Sequence, residues 1–160
     1  MAGKLTTTRY PKIGWWLDKD QVVFYHGTHK RHLDSILRGG IRAPTRGPAA
    51  NWVSLALEPN TAHAYASMSG ETAFRAAGQK AVHVPDDERV VLVVKMKKNQ
   101  FLPKMAPERG AMSTTKGKLK DKTLYEKHVG HDVEYYSMTE IRYPVHVPAG
   151  SIMGWMSLAK

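Results

Sequence analysis

The run RVVLVVKM, residues 89 to 96, is the feature that most constrains how this chain can fold. Its β-branched residues follow one another without polar alternation. Such residues are favoured in strands, and a strand that is apolar at consecutive positions has both faces buried. The run therefore predicts a central strand covered on both sides. A chain of 160 residues can enclose one such core, so we expect a single domain over residues 1–160.

Two strand-to-helix units precede this run. Residues 22–25 predict a short strand that ends at Gly27, and RHLDSILRGGI predicts a helix that stops at Gly39 and Gly40. NWVSLAL predicts a second strand, and EPNTAHAYASM predicts a helix that begins at Pro59 and has Tyr65 on its apolar face. The first part of the chain is therefore expected to alternate strand and helix.

The second part of the chain is expected to be mostly strands. Residues 103–131 are polar and contain the basic stretch KGKLKDK, which predicts a long loop or lid. VEYYS, IRYPVHV and SIMGWM then predict closely spaced strands, and Pro144 predicts an edge or a bulge. Two early helices followed by mostly strands predict the α+β class.

Charge and composition narrow the functional classes. Lys and Arg number 24 against 14 Asp and Glu, and the formal charge of +10 favours nucleic acid, nucleotide phosphates or an acidic protein as partner. The lack of cysteine excludes disulfides, a thiolate nucleophile and Cys-based zinc sites. No apolar run is long enough to cross a bilayer and the N-terminus has no secretory h-region, so we expect no membrane association and a cytoplasmic location.

Three short stretches are candidates for chemistry. In FYHGT, residues 24–28, a histidine and a glycine follow an apolar strand, which allows a ligand to approach the backbone; a structural histidine gives the same pattern. Ser54 near Trp52 suits the anchoring of a flat heteroaromatic ring, or is a strand serine beside a core tryptophan. Glu134 shares a strand face with Asp132 and either is solvated or acts on a sugar hydroxyl.

Histidines at intervals of three raise the question of a metal site. The two sets are His26, His29 and His32, and His128 and His131. A glycine and a predicted loop interrupt helical geometry in the first set, and no acid or cysteine stands at a familiar ligand spacing. We therefore expect no metal.

The order of these stretches resembles that of the ADP-ribosyltransferase superfamily, from about residue 22 to the end of the chain. An HG pair on an early strand is followed by a serine or aromatic residue on a second strand that leads into a tyrosine-containing helix, and then by a late glutamate after a lid. The resemblance implies split antiparallel β-sheets with two early helices and an NAD cleft. It also implies a triad of His26, Trp52 or Ser54, and Glu134.

Two alignments with the family select different residues for the middle position of the triad. FYHGT followed by WVSLALEP is similar to the rifampin-modifying ADP-ribosyltransferases, in which Trp52 would replace the tyrosine that stacks on nicotinamide. Counting back from Tyr65, as in the AxxYA helix of poly-ADP-ribose polymerases, selects Ser54 instead. HGT, ILRGGI and VSLA also resemble the tRNA 2′-phosphotransferases, for whose arginine-rich site Arg38, Arg42 and Arg46 are the candidates.

The resemblance implies NAD⁺ as co-substrate. The residues it suggests for binding are Tyr25, His26, Gly27, Thr28, Arg42, Trp52, Ser54 and Tyr65. The Gly27 backbone would pair with the nicotinamide amide, and any side chain there would occupy the place of the ligand. His26 would bond the adenosine ribose, and Trp52 or Tyr65 would stack on the nicotinamide. Glu134 would bond the ribose 2′-hydroxyl and stabilise the oxocarbenium-like ribose.

The acceptor is expected to be a macromolecule, protein or nucleic acid, because the chain is basic. His131 and Asp132 precede the glutamate and would select it. A small transferase of this kind also fits a bacterial toxin or a phage effector. Two other functions are compatible with the sequence: a non-catalytic basic module of the same fold that binds nucleic acid, and an NAD-dependent RNA 2′-phosphotransferase.

Overall fold

The computed structural model describes residues 3–5, 21–43, 52–56, 58–69, 82–101, 111–114, 117–119 and 140–158. Its elements in chain order are β1 (Gly3–Lys4), β2 (Gln21–His29), α1 (Leu33–Gly39), β3 (Val53–Ala56), α2 (Pro59–Tyr65), β4 (Met68–Ser69), β5 (Val82–His83), β6 (Arg89–Lys97), α3 (Lys98–Phe101), β7 (Ala111–Thr114), β8 (Gly117–Leu119), β9 (Glu140–Tyr143) and β10 (Ile152–Met156). The α+β class is confirmed. None of the described helices is long and apolar enough to cross a membrane.

The described strands form one large mixed sheet and a small hairpin. The order of the large sheet is β1-β10-β6-β2-β3-β9-β7-β8, in which β1 is parallel to β10 and the other pairs are antiparallel. β4 and β5 pair separately. β6 lies between β10 and β2, and its residues from Val90 to Val94 have no exposed surface. The central strand buried on both faces is therefore confirmed.

Two core clusters cover the two faces of β2 and β6. The first core cluster contains Val22, Phe24, Leu92 and Val94, and α1 packs against it through Leu33, Ile36 and Leu37. The second core cluster contains Val23, Tyr25, Val91 and Val93, and α2 contributes Ala62 to it. Because successive strand residues point to opposite faces, the apolar run supplies both clusters.

The expected end of β2 at Gly27 is wrong. β2 continues to His29, and all nine of its residues pair with β6, including Gly27 with Val91 and His29 with Arg89. Glycine weakens an isolated strand, but here an uninterrupted central partner holds the backbone extended through it.

The expected lid is also wrong in part. Within residues 103–131, β7 and β8 form an antiparallel hairpin, and β7 joins the sheet beside β9. β9 lies between β3 and β7, so Pro144 directly follows an internal strand and does not mark an edge. Proline cannot donate to the next position of a ladder, which accounts for the strand ending there. The rest of the lid and the expected strand VEYYS lie outside the described residues.

The sheet divides between β2 and β3. These strands share one pair, Tyr25 with Ala56, whereas β3 and β9 share four pairs. The halves β1-β10-β6-β2 and β3-β9-β7-β8 are therefore joined by a single ladder pair. His26 is the first residue of β2 beyond this point, so the site described next begins where the sheet divides.

Candidate functional site

His26 is fixed at the division of the sheet by a hydrogen bond between its two halves. Its Nδ1–H donates to the carbonyl oxygen of Ser54, 2.7 Å away. Since a carbonyl can only accept, this bond fixes the tautomer. Burial lowers the pKa of His26, and the bond to Ser54 opposes that change only in part. The ring is therefore neutral near pH 7, and Nε2 is its acceptor atom.

His26 lines a cavity of about 430 Å³ between the end of β2 and α1. The lining residues are His26, Thr28, His32, Ser35, Ile36, Gly39, Gly40, Ile41 and Arg42. They provide imidazoles, two hydroxyls and one guanidinium, and none of them is a carboxylate. Small-molecule sites have volumes in this range and combine apolar walls with a few polar groups. The guanidinium is the charged group among these lining residues, so the cavity suits an anion.

Arg42 is positioned by the segment that follows β9. The backbones of Ile41 and Val147 exchange two hydrogen bonds of 2.9 Å, one residue before Arg42. The N–H of Ala43, one residue after it, donates to Nδ1 of His146 at 2.8 Å. The backbone of Arg42 is therefore held on both sides, while its side chain remains exposed at the cavity. Nothing in the sequence near Arg42 indicated these partners.

The end of α1 shapes the same cavity. Gly40 has φ of 85°, a left-handed conformation that favours glycine, and its N–H donates to Ile36. A methyl group at Gly40 would overlap the carbonyl oxygen of Val147. The predicted stop at Gly39 and Gly40 is confirmed, because α1 ends at Gly39 and Gly40 is its C-cap.

The structure corrects the reason for Gly27. A methyl group there would overlap the carbonyl oxygen of Ala62 and lie 2.7 Å from its carbonyl carbon and 3.2 Å from Cβ of Ala66. These atoms belong to α2 or follow it directly, on the face of the sheet opposite α1. Glycine is thus required because α2 packs directly on β2, and the expectation that a side chain would displace a ligand is wrong.

The backbone of Ser54 lies beside His26, but the side chains of Ser54 and Trp52 face the other way. Val53 and Leu55 are in the first core cluster, so strand alternation turns Trp52 and Ser54 toward the face of α2. The guanidinium of Arg142 lies 4.7 Å from the ring centre of Trp52, a cation–π contact. The structure joins His26 to Ser54 through the backbone carbonyl, and the choice between Trp52 and Ser54 stays open.

The predicted tyrosines have different environments. Tyr25 has no exposed surface and belongs to the second core cluster, so its side chain is part of the core rather than of the cavity. Tyr65 is 41% exposed, whereas Ala62 and Ala66 of the same segment are buried. The expectation that Tyr65 shares the apolar face of α2 is therefore wrong. Thr28 lines the cavity, and its role in ligand binding stays a prediction.

The remaining predicted site residues lie outside the described residues. They are Glu134, His131 and Asp132, together with Arg46. Their roles stay predictions. Among the histidines spaced by three, His26 and His32 line the cavity, whereas His29 is buried and bonds the Ala66 carbonyl through Nε2, 3.1 Å away. No group of three His, Asp or Glu within the described ranges could hold a metal.

A polar network at the start of β6 was not predicted. His63 donates Nε2–H to the Asp86 carboxylate at 2.6 Å, and this bond is the main reason that the pKa of Asp86 is lowered. Arg89 donates Nε–H to the Val84 carbonyl at 3.0 Å and an Nη2 proton to the ring of His83, with Nη2 to Nε2 at 3.1 Å. The network ties α2 to the segment that enters β6.

A scan against protein-family models and a search of curated proteins found no match to this chain.

Proposed function

We propose that this protein is an NAD⁺-dependent ADP-ribosyltransferase that releases nicotinamide and transfers ADP-ribose to a macromolecular acceptor. The observation that carries the proposal is the placement of His26. A neutral imidazole with a fixed tautomer lines a polar cavity at the point where the sheet divides, together with the guanidinium of Arg42.

The cavity supplies partners for the adenosine side of NAD⁺. Nε2 of His26 accepts a hydrogen bond from a ribose hydroxyl, and the bond to Ser54 prevents the ring from turning away. Arg42 binds the diphosphate, because the planar guanidinium can donate two parallel hydrogen bonds to phosphate oxygens. Thr28 and Ser35 contribute hydroxyls at the same wall. None of the described lining residues carries a carboxylate that would repel the phosphates.

The residues assigned to cleavage of the bond to nicotinamide are those that the resemblance implies. Glu134 bonds the ribose 2′-hydroxyl and stabilises the positive charge that develops as nicotinamide leaves. The resemblance alone assigns the nicotinamide to Trp52 or Ser54, since both side chains face α2, across the sheet from the cavity. It likewise assigns the selection of the acceptor to His131 and Asp132. In this proposal the described half of the site binds the co-substrate and the glutamate supplies the chemistry.

The test is nicotinamide release from NAD⁺ measured by liquid chromatography. Glu134→Gln should abolish release while the melting temperature stays near that of the wild type. Arg42→Lys loses the bidentate contact and should raise KM about tenfold, since charge-assisted hydrogen bonds contribute about 1.5 kcal/mol. Arg38→Lys is the matched control, because Arg38 is exposed on α1 and does not line the cavity.

Wild-type turnover by Glu134→Gln would refute the assignment, and equal KM values for Arg42→Lys and Arg38→Lys would refute the phosphate site. The acceptor class follows from NAD⁺ labelled on the adenylate and incubated with a bacterial lysate. Labelled products that survive protease but not nuclease are nucleic acid, and the reverse result identifies protein.

A further inference from the structure

A second cavity of about 380 Å³ lies at the other end of β2. Its polar lining consists of Gln21 at the start of β2, Lys95 and Lys97 at the end of β6, Gln100 of α3, and Ser151 before β10. Thr28 of the first cavity lies seven positions after Gln21, which corresponds to about 23 Å along an extended strand. The two cavities are therefore separate sites.

Strand register brings the two lysines to one face. Lys95 pairs with Val23 and Lys97 pairs with Gln21 in the antiparallel ladder between β6 and β2. Because alternate residues share a face, both lysines project to the same side, about 7 Å apart along the strand. Lys95 is half-buried and Lys97 is exposed. The spacing is imposed by the central strand rather than by a flexible loop.

Among the described residues, the charge of this cavity has no acidic partner. None of the residues that line it is acidic, and neither lysine forms an ion pair within the described part of the chain. The two glutamines and the serine add neutral hydrogen-bond donors. Two ammonium groups with such donors suit an anion that presents several acceptor oxygens over an extended length.

We propose that this cavity binds consecutive phosphates of a nucleic-acid backbone. The formal charge of +10 attracts polyanions over a long range, and the spacing of the lysines suits a polymer better than one phosphate. None of the described residues that line the cavity is aromatic, so the contacts proposed here are with phosphates and not with stacked bases. Binding here is to the backbone, without recognition of base sequence. It is independent of NAD⁺ turnover.

The test is the salt dependence of RNA binding by the full chain. Anisotropy of a short fluorescein-labelled single-stranded RNA of mixed sequence is measured from about 50 to about 200 mM NaCl, and log Kd is plotted against log salt. Each phosphate contact contributes about 0.7 to the slope for single strands. The double variant Lys95→Gln with Lys97→Gln should therefore lower the slope by about 1.4.

The matched control is Lys30→Gln with Arg38→Gln, which removes the same charge from two exposed positions, one just before α1 and one within it. It should lower the slope by less than about 0.7. Lys97→Gln alone changes only an exposed side chain and should lower the slope by about 0.7, which keeps the test valid if the double variant does not fold.

Three results would overturn the proposal. The first two are no RNA binding by the wild type and equal slopes for the two double variants. The third is displacement of the labelled RNA by inorganic phosphate at a concentration equal to that of the phosphates in the RNA. Displacement by phosphatidylserine vesicles but not by unlabelled RNA would also overturn it, since the ligand would then be a membrane surface.

Discussion

Gly27→Ala tests the packing of α2 against β2. The new methyl group would meet backbone atoms of Ala62, namely its carbonyl oxygen and, at 2.7 Å, its carbonyl carbon. Backbone atoms cannot turn aside as a flexible side chain can. To bring the carbonyl carbon to an ordinary separation of 3.4 Å, α2 must move outward by at least about 0.7 Å.

The cost of this movement follows from the contacts that it weakens. A gap of about 0.5–1 Å removes a quarter to a half of each dispersion contact between α2 and the second core cluster. Added methyl groups in packed cores cost about 1–3 kcal/mol, and a backbone obstacle places this variant at the upper end. At about 2–4 °C per kcal/mol for a domain of this size, the melting temperature should fall by about 6–12 °C.

Circular dichroism melts of wild type, Gly27→Ala and Gly39→Ala provide the measurement. Gly39 is the matched control, because a methyl group there meets nothing within 4 Å, and alanine at a compatible helical position is neutral or stabilising. If Gly27→Ala melts within about 1 °C of Gly39→Ala, the close packing of α2 on β2 is refuted.

Two further predictions concern pH. Burial lowers the pKa of His26 in the folded protein below 6.5. The contribution of neutral His26 to stability is therefore complete above pH 6.5 and is lost as the pH falls through the pKa of the folded protein. Between about pH 7.5 and about pH 5, the melting temperature of His26→Gln should therefore fall by less than that of the wild type. The pKa of Asp86 is lowered from 3.8, mainly by the bond from His63, so its contribution is lost as the pH falls below 3.8. Asp86→Asn should reduce this acid sensitivity at low salt but not at about 1 M salt, because Asp86 is exposed. Equal pH profiles of variant and wild type would refute either prediction.

Several elements followed directly from local sequence. The run at residues 89–96 predicted a strand buried on both faces, Pro59 predicted the start of α2, and Gly39 predicted the end of α1. Each of these is determined by neighbouring residues: β-branched density, the fixed φ of proline, and the conformational freedom of glycine. Three of the residues expected to bind the ligand, His26, Thr28 and Arg42, line one cavity, and their role in binding stays a prediction.

Other features depended on residues distant in sequence. The length of β2 is decided by its pairing with β6, and the role of Gly27 by a helix that begins 32 residues later. The position of Arg42 depends on His146, 103 residues beyond Ala43. Local sequence patterns indicate which backbone conformation a segment prefers, but they do not indicate which strand, helix or loop will pack against it. The sequence by itself determined the central strand and the two helices, whereas the division of the sheet and the anchoring of His26 and Arg42 were decided only by the tertiary structure, because their partners are brought together by strand register.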